Sequence, residues 1–471
     1  MADEEPPPKP IKFLVKVLDE LGLVSIYSST LDTKLLCIQR FVRLFAYGGS
    51  TLILVSYLAA LGISDTKIGL FMTLTLVGDV VISFFLTLVA DGLGRKAVLA
   101  LGAALMAASG IAFGIFWNYW VLLAAAIFGV ISPSGNEIGP FRAIEESTLA
   151  HLSPPKVRPD IFAWYSLIGT AGTAFGMMTC GWVVSTLQSK HEWDDVRAYR
   201  AMFFAYAGFG VIKFLLAMSL SKACEIEKEP TPVRDQETAP LLGGGQTAKP
   251  KKEKRSIWPK ISKESRLILV NLSLLFALDA FASGLAPLSW VTNFFKRKFH
   301  LSEGYLGTLF FTTSIISALS VLVAASIAKR FGNVKTMVFT HLPSAVFLAC
   351  IGLPSSLPIA MMFIILRSCT QSMDVAPRSA FLAAVVLPSE RTAIMGFINV
   401  VKTGAQSMGP LITGVLAEKN LFWVAFLMAG SLKATYDLGM LAVFAGHKSR
   451  EEQEEEERLA QAHTNAQNGS A

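Results

Sequence analysis

Charge is what this chain has least of. Asp, Glu, Lys and Arg make up 16% of its 471 residues, against 52% apolar residues, and the mean hydropathy is +0.50. Soluble domains carry roughly a quarter of their residues as charge, so a soluble multidomain protein is excluded and a bilayer is the expected solvent. Cysteine is nearly as scarce. Cys37, Cys180, Cys224, Cys350 and Cys369 show no paired spacing, which leaves neither a disulfide framework nor a zinc site to expect. The six histidines form no H-E-x-x-H arrangement, and no G-x-x-x-x-G-K-[ST] loop occurs, so metalloprotease chemistry and ATP-driven pumping lack their usual equipment. An enzyme is the least expected class, and no cofactor is expected. The lysines near residue 250 accompany no recognised nucleic-acid-binding fold.

What is present is a series of long apolar runs. A hydrocarbon core about 30 Å thick takes roughly 20 residues of helix. About twelve runs qualify: 35–61, 67–90, 97–116, 119–143, 161–187, 200–220, 267–294, 305–328, 336–353, 358–386, 393–417 and 422–445. The runs are continuous, whereas barrel strands alternate and are about half as long, so helices are expected. The resulting plan is a tail at 1–34, six spans at 35–220, a polar linker at 221–266, six spans at 267–445 and an acidic tail at 446–471. In the first tail Ile11, Leu14, Leu18 and Leu21 share one face of an interfacial helix, and no cleavable signal peptide is read there. Lys249, Lys251, Lys252, Lys254 and Arg255 put the linker on the cytoplasmic side, with both termini. Lys296, Arg297 and Lys298, between spans seven and eight, run against that rule. Glu237-x-x-x-Leu241-Leu242 has the form of an acidic dileucine signal, which would engage sorting adaptors and route the protein to a vacuole or lysosome rather than the plasma membrane.

The chain is also duplicated. Pro155, Arg158, Gly176 and Gly181 recur as Pro388, Arg391, Gly409 and Gly414. Glu137-x-x-Pro140 recurs as Asp374-x-x-Pro377, Gly94 as Gly332, and Gly210-x-x-Lys213 as Gly430-x-x-Lys433. Two repeated halves are how many secondary transporters build a central site that faces either side of a membrane.

Between spans two and three the chain reads Asp91-Gly92-Leu93-Gly94-Arg95-Lys96. Gly94 permits a tight reversal, and Asp91 is placed to accept from freed backbone N–H groups. This string resembles the signature G-x-x-x-D-x-x-G-[RK]-[RK] of the major facilitator superfamily, with Thr87 where the first glycine belongs. The resemblance covers residues 35–445 and implies an all-α membrane protein of twelve helices in two pseudo-symmetric six-helix bundles. Gly172, Gly176 and Gly181 resemble a worn form of the antiporter pattern of that superfamily, which implies export; at such spacings small residues also serve simply as packing faces. Gly409 and Gly414 repeat the arrangement in span eleven. The strings around Glu137 and Asp374 resemble a largely uncharacterised branch.

Ionisable side chains at bilayer depth cost at least about 2.5 kcal/mol and normally face a cavity, pair with each other or carry ions. Asp79, Asp279 and Arg367 fall near mid-membrane, and Arg43 and Lys402 nearer the cytoplasm. The resemblance places spans one, four, seven and ten around the cavity, hence Arg43, Tyr47, Asp279 and Arg367. A carboxyl in low dielectric has a raised pKa and can relay protons, which makes Asp279 the first coupling candidate and Asp79 the second. Asp79 and Lys402 could also form one structural pair. Arg40 is expected to snorkel, and Lys433 and Asp437, four apart, to neutralise each other. Glu137 and Asp374 are expected to act as gates, pairing with loop cations such as Arg95 or Arg391. The whole reads as a proton-coupled secondary transporter of a small organic solute. The alternatives are an organic-anion uptake carrier and a non-transporting membrane sensor of the same fold.

Overall fold

In the computed structural model, residues 22–129, 131, 140–225, 263–386 and 390–444 are described. Among them the chain forms helices and no strands. After a lead-in helix, Leu23–Ser28, the helices group into twelve spans. Nine are single: one (Leu31–Ala60), two (Asp65–Leu93), three (Arg95–Ile115), five (Arg158–His191), six (Asp195–Met218), eight (Glu303–Phe331), nine (Asn333–Cys350), eleven (Arg391–Glu418) and twelve (Phe422–Phe444). Spans seven (Lys263–Leu285 and Leu288–Phe299) and ten (Leu357–Thr370 and Val375–Val385) are each broken, and span four comprises Tyr119–Gly129 and Pro140–Leu152, with residues 130 and 132–139 between them outside those described. Eight candidate crossings are long and apolar enough for a bilayer by length and composition alone. The interfacial helix, Glu137, most of the linker with its dileucine string, and the acidic tail lie outside the described residues.

Local chemistry sets the ends and breaks. Thr30, Asp194 and Ser302 accept from the backbone N–H three residues on and so open spans one, six and eight, satisfying donors that a helix start leaves free. Pro287 splits span seven, expected as one run, because it offers no N–H to the preceding turn. The chain reverses between spans two and three at Gly94, with φ 91°, and between spans eight and nine at its repeat partner Gly332, with φ 80°. A side chain is strained at such angles. The freed N–H groups of Arg95 and Lys96 donate to Glu225, at 2.8 and 3.0 Å. A residue following span six thus supplies an acceptor at this reversal. Its charge sits at the start of span three, where the helix dipole favours an anion. The side chain of Asp91 is outside those described.

Glycines decide which spans touch. A Cβ at Gly172 or Gly176 would run into the span-one carbonyls of Phe41 and Phe45, and one at Gly409 into Gly284 of span seven. Gly210 lies against Ala107 of span three, and its repeat partner Gly430 against Ala345 of span nine. Two more join the halves: Gly181 abuts Glu303 and Gly307 of span eight, and Gly414 abuts Asp65 and Gly69 of span two. Small residues let helix backbones meet where lipid provides no hydrophobic drive.

The halves also meet through charge at the end away from the linker. Arg297 grips Asp65 with two nitrogens, at 2.6 and 2.7 Å. Lys296 meets Glu303 at 2.5 Å and Asp195 at 3.7 Å, and Lys298 donates to the Gly352 carbonyl at 2.8 Å. Thr66 donates its N–H to Glu418 at 3.0 Å. The three cations that run against the charge rule are therefore bound to acceptors. Beneath this end, Tyr57, Phe113 and Phe203 pack with ring centroids 4.7 to 6.2 Å apart.

Candidate functional site

A cavity of about 640 Å³ lies mainly within the second half, bounded by spans seven to twelve and by Thr170, Thr173 and Met177 of span five. The break in span seven and the one in span ten both open onto it, as backbone irregularity at membrane depth does where it lines a cavity. On its wall Asp279, 5% exposed, receives Lys433 Nζ at 2.6 Å and Arg378 at 3.3 Å. Lys433 also donates to Ser283 at 2.8 Å. Asp374, 1% exposed, holds Arg378 from one helical turn back. His341 Nδ1 lies 2.9 Å from the carboxylate of the fully buried Asp437. Arg367 and Lys402 complete the charged lining. A second cavity, of about 360 Å³, shares Arg378 and Lys402 with the first and runs along Asn399 and Met395 of span eleven.

Charge clusters also in the first half. Glu145, 0% exposed, receives Arg43 at 2.6 Å and Lys213 at 3.3 Å, and the Tyr165 hydroxyl donates to it at 2.5 Å. Arg40 stacks on Tyr165 at 4.5 Å. Tyr206 lies within electrostatic reach of Arg43, Tyr47 and Asp79. Lys213 and Lys433 are repeat partners, so each half anchors a buried lysine from its last span onto a buried acid of another span.

The four residues expected around one cavity therefore separate. Asp279 and Arg367 line it; Arg43 and the buried Tyr47 belong to the first-half cluster. Lys433 and Asp437 do not neutralise each other: Lys433 bonds Asp279 and Asp437 bonds His341, because each side chain points to a different neighbouring helix. Arg40 does not snorkel but is 5% exposed. Asp79, 3% exposed, sits with the first-half charges. Lys402 faces the Phe276 ring at 5.5 Å and feels Arg378, Asp279 and Lys433, so the two belong to different clusters. Asp374 is paired to Arg378 rather than to a loop cation, and Arg95 donates to Ser147 at 2.8 Å. The side chain of Arg391 is outside those described.

Sequence reasoning missed Arg378, Glu145 and His341, and read Lys213 only as a member of the repeat. Arg378 carried a signal, since it follows Asp374 at helical spacing. Glu145 lay beyond the apolar run assigned to span four, where a carboxylate reads as solvent-facing.

A family model described as Major Facilitator Superfamily matches residues 36–295 and 272–468. An uncharacterized membrane protein of Saccharomyces cerevisiae is 39% identical over 429 residues, covering 88% of this chain and 94% of that one. A quinolone resistance protein of Staphylococcus aureus is 23% identical over 168 residues, which is 36% of this chain and 39% of that protein. Among solved structures, a D-xylose-proton symporter superposes with a TM-score of 0.65 at 12% identity, covering 88% of this chain and 97% of that one.

Proposed function

This chain belongs to the Major Facilitator Superfamily and is a membrane transporter, and from that premise we propose that it moves a small organic solute by alternating access coupled to protons. The observation that carries this reading is Asp279, set on the cavity wall between Lys433 and Arg378. While ionised, the carboxylate ties span seven to spans ten and twelve. A proton on it removes the charge that holds both cations, leaving Arg378 with Asp374 and Lys433 with Ser283. The wall then has two arrangements whose balance a proton sets, which is what coupling requires. Asp79 is the second candidate and would act through the first-half charges.

Asp279→Asn tests the assignment. Because it strands Lys433, the double variant Asp279→Asn/Lys433→Gln is made beside it, removing both members of the pair together. In liposomes both are expected to lose accumulation driven by a pH gradient and to keep solute exchange across an equal pH. Gradient-driven accumulation at the unaltered rate removes Asp279 from the mechanism and turns attention to Asp79.

Glu237, Leu241 and Leu242 support delivery to an acidic vacuolar or lysosomal membrane, where such a gradient is at hand. Leu241→Ala with Leu242→Ala is expected to shift a fluorescently tagged protein to the plasma membrane; unchanged sorting rejects the signal.

A further inference from the structure

Among the described residues the charges on the cavity wall do not balance: four basic side chains, Arg367, Arg378, Lys402 and Lys433, stand there against two carboxylates, Asp279 and Asp374. The carboxylates are fully engaged with Arg378 and Lys433. Among the described residues Arg367 has no acidic partner, and the Lys402 ammonium, 5.5 Å from the centre of the Phe276 ring, forms no ion pair although it feels the already engaged Asp279. A cation held at membrane depth without a counter-charge is costly, and a solute that brings the counter-charge recovers that cost on binding. Ser314, Ser317, Gln371 and Ser372 share the wall with Arg367; the Ser314 and Ser317 hydroxyls donate to the Phe310 and Ser368 carbonyls and Gln371 donates one amide N–H to Ser317, which leaves its second amide N–H for the same oxygens. Lys402 stands where the two cavities meet, so a solute entering along span eleven passes it.

We propose that the transported solute is a small organic anion received by Arg367 and Lys402, and that it crosses together with a proton rather than against one. This rests on the transporter reading above. Its second half follows from the surroundings of Asp279. The charged and titratable groups facing that carboxylate are Arg378 and Asp374 of span ten, Lys402 of span eleven, Lys433, Tyr436 and Asp437 of span twelve, and His341 of span nine. Adding a proton to Asp279 makes this wall more positive by one charge and frees Lys433 and Arg378, so an anion binds more tightly to the protonated carrier. By linkage the anion promotes protonation to the same degree. Mutual reinforcement favours the state carrying both, which is symport. That is opposite to the export implied by the worn glycine pattern, whose glycines are each occupied in helix packing.

Purified full-length protein in liposomes is offered three fractions of a cell extract, separated by ion exchange into anionic, cationic and uncharged solutes, with a pyranine reporter of internal pH and mass spectrometry of what enters. Entry of anionic solutes alone, with internal acidification, is expected. Entry of a cationic or uncharged solute overturns the anion assignment and leaves the transporter reading standing. Anion entry with internal alkalinisation overturns symport. No entry from any fraction overturns transport itself. Arg367→Gln and Lys402→Gln, neither of which breaks an ion pair, are each expected to raise KM for the identified anion at least tenfold, with Arg367→Lys recovering part of the loss. An unchanged KM in both removes these two residues from the site.

Discussion

At the scale of single residues, the partners of the buried charges matter more than their depth. Glu145 holds two cations and a tyrosine hydroxyl with no exposed surface, so removing its charge leaves Arg43 and Lys213 facing each other. Breaking a buried pair from one side costs about 3–5 kcal/mol. Glu145→Ala is therefore expected to lower the melting temperature in detergent sharply, and Glu145→Ala/Lys213→Met to recover a large part of the loss. If the two substitutions simply add, the pair is not a coupled unit. Outside the membrane, Cys224 is buried beside Asp32 and Glu225. Burial pushes its thiol up to about 12, and the Asp32 and Glu225 carboxylates add to that rise. Only the thiolate reacts, so at pH 8 about one thiol in ten thousand is ionised by that value, and maleimide labelling of the native protein is expected to be negligible. Glu225→Gln frees the cap of span three and is expected to speed labelling; fast labelling of the unaltered protein contradicts the burial.

At the scale of elements, the duplicated glycines read from the sequence account for much of the helix arrangement. Gly409 meets the backbone of Gly284, whereas Gly404, on the same helix, has open space around its Cβ position. Gly409→Ala is expected to cost about 1–3 kcal/mol through overpacking, and Gly404→Ala to be neutral or to stabilise by up to about 1 kcal/mol through helix propensity. Thermal melts of the two variants compare them directly, and equal effects would mean that spans seven and eleven do not pack at this point. Such spacing is legible because a small residue has few other reasons to recur at a helix crossing. Ion pairing between helices is not legible in the same way. Lys433 and Asp437 sit one turn apart and read as a local pair, yet each bonds a residue about 100 or more positions away. Glu145 escaped notice because it lies just past the apolar run read as span four, in the polar helix Pro140–Leu152. The first turn of span three shows the same limit: the motif residues were recognised, but their acceptor, Glu225, lies beyond span six.

At the scale of the whole molecule, the halves are tied by a latch at the end away from the linker. Arg297 and Asp65 join the second half to the first through a two-pronged pair, and Thr66 and Glu418 add a second bond across the same seam. Gly181 and Gly414 bring the backbones together just beneath it. The alternating access proposed above requires this end to open while the other closes, so on that reading the latch breaks once in every cycle. Arg297 is substantially exposed although Asp65 is buried, so solvent screens the pair from one side and weakening it is expected to shift the balance between states rather than to unfold the protein. Asp65→Asn is expected to populate the opposite-facing form, seen as new labelling of a cysteine placed at Ser283 by a membrane-impermeant reagent applied from the latch side. The exchange Asp65→Arg/Arg297→Asp restores the attraction with reversed sign and is expected to suppress that labelling again. Labelling of Ser283→Cys that ignores all three backgrounds would mean that this end does not gate the cavity.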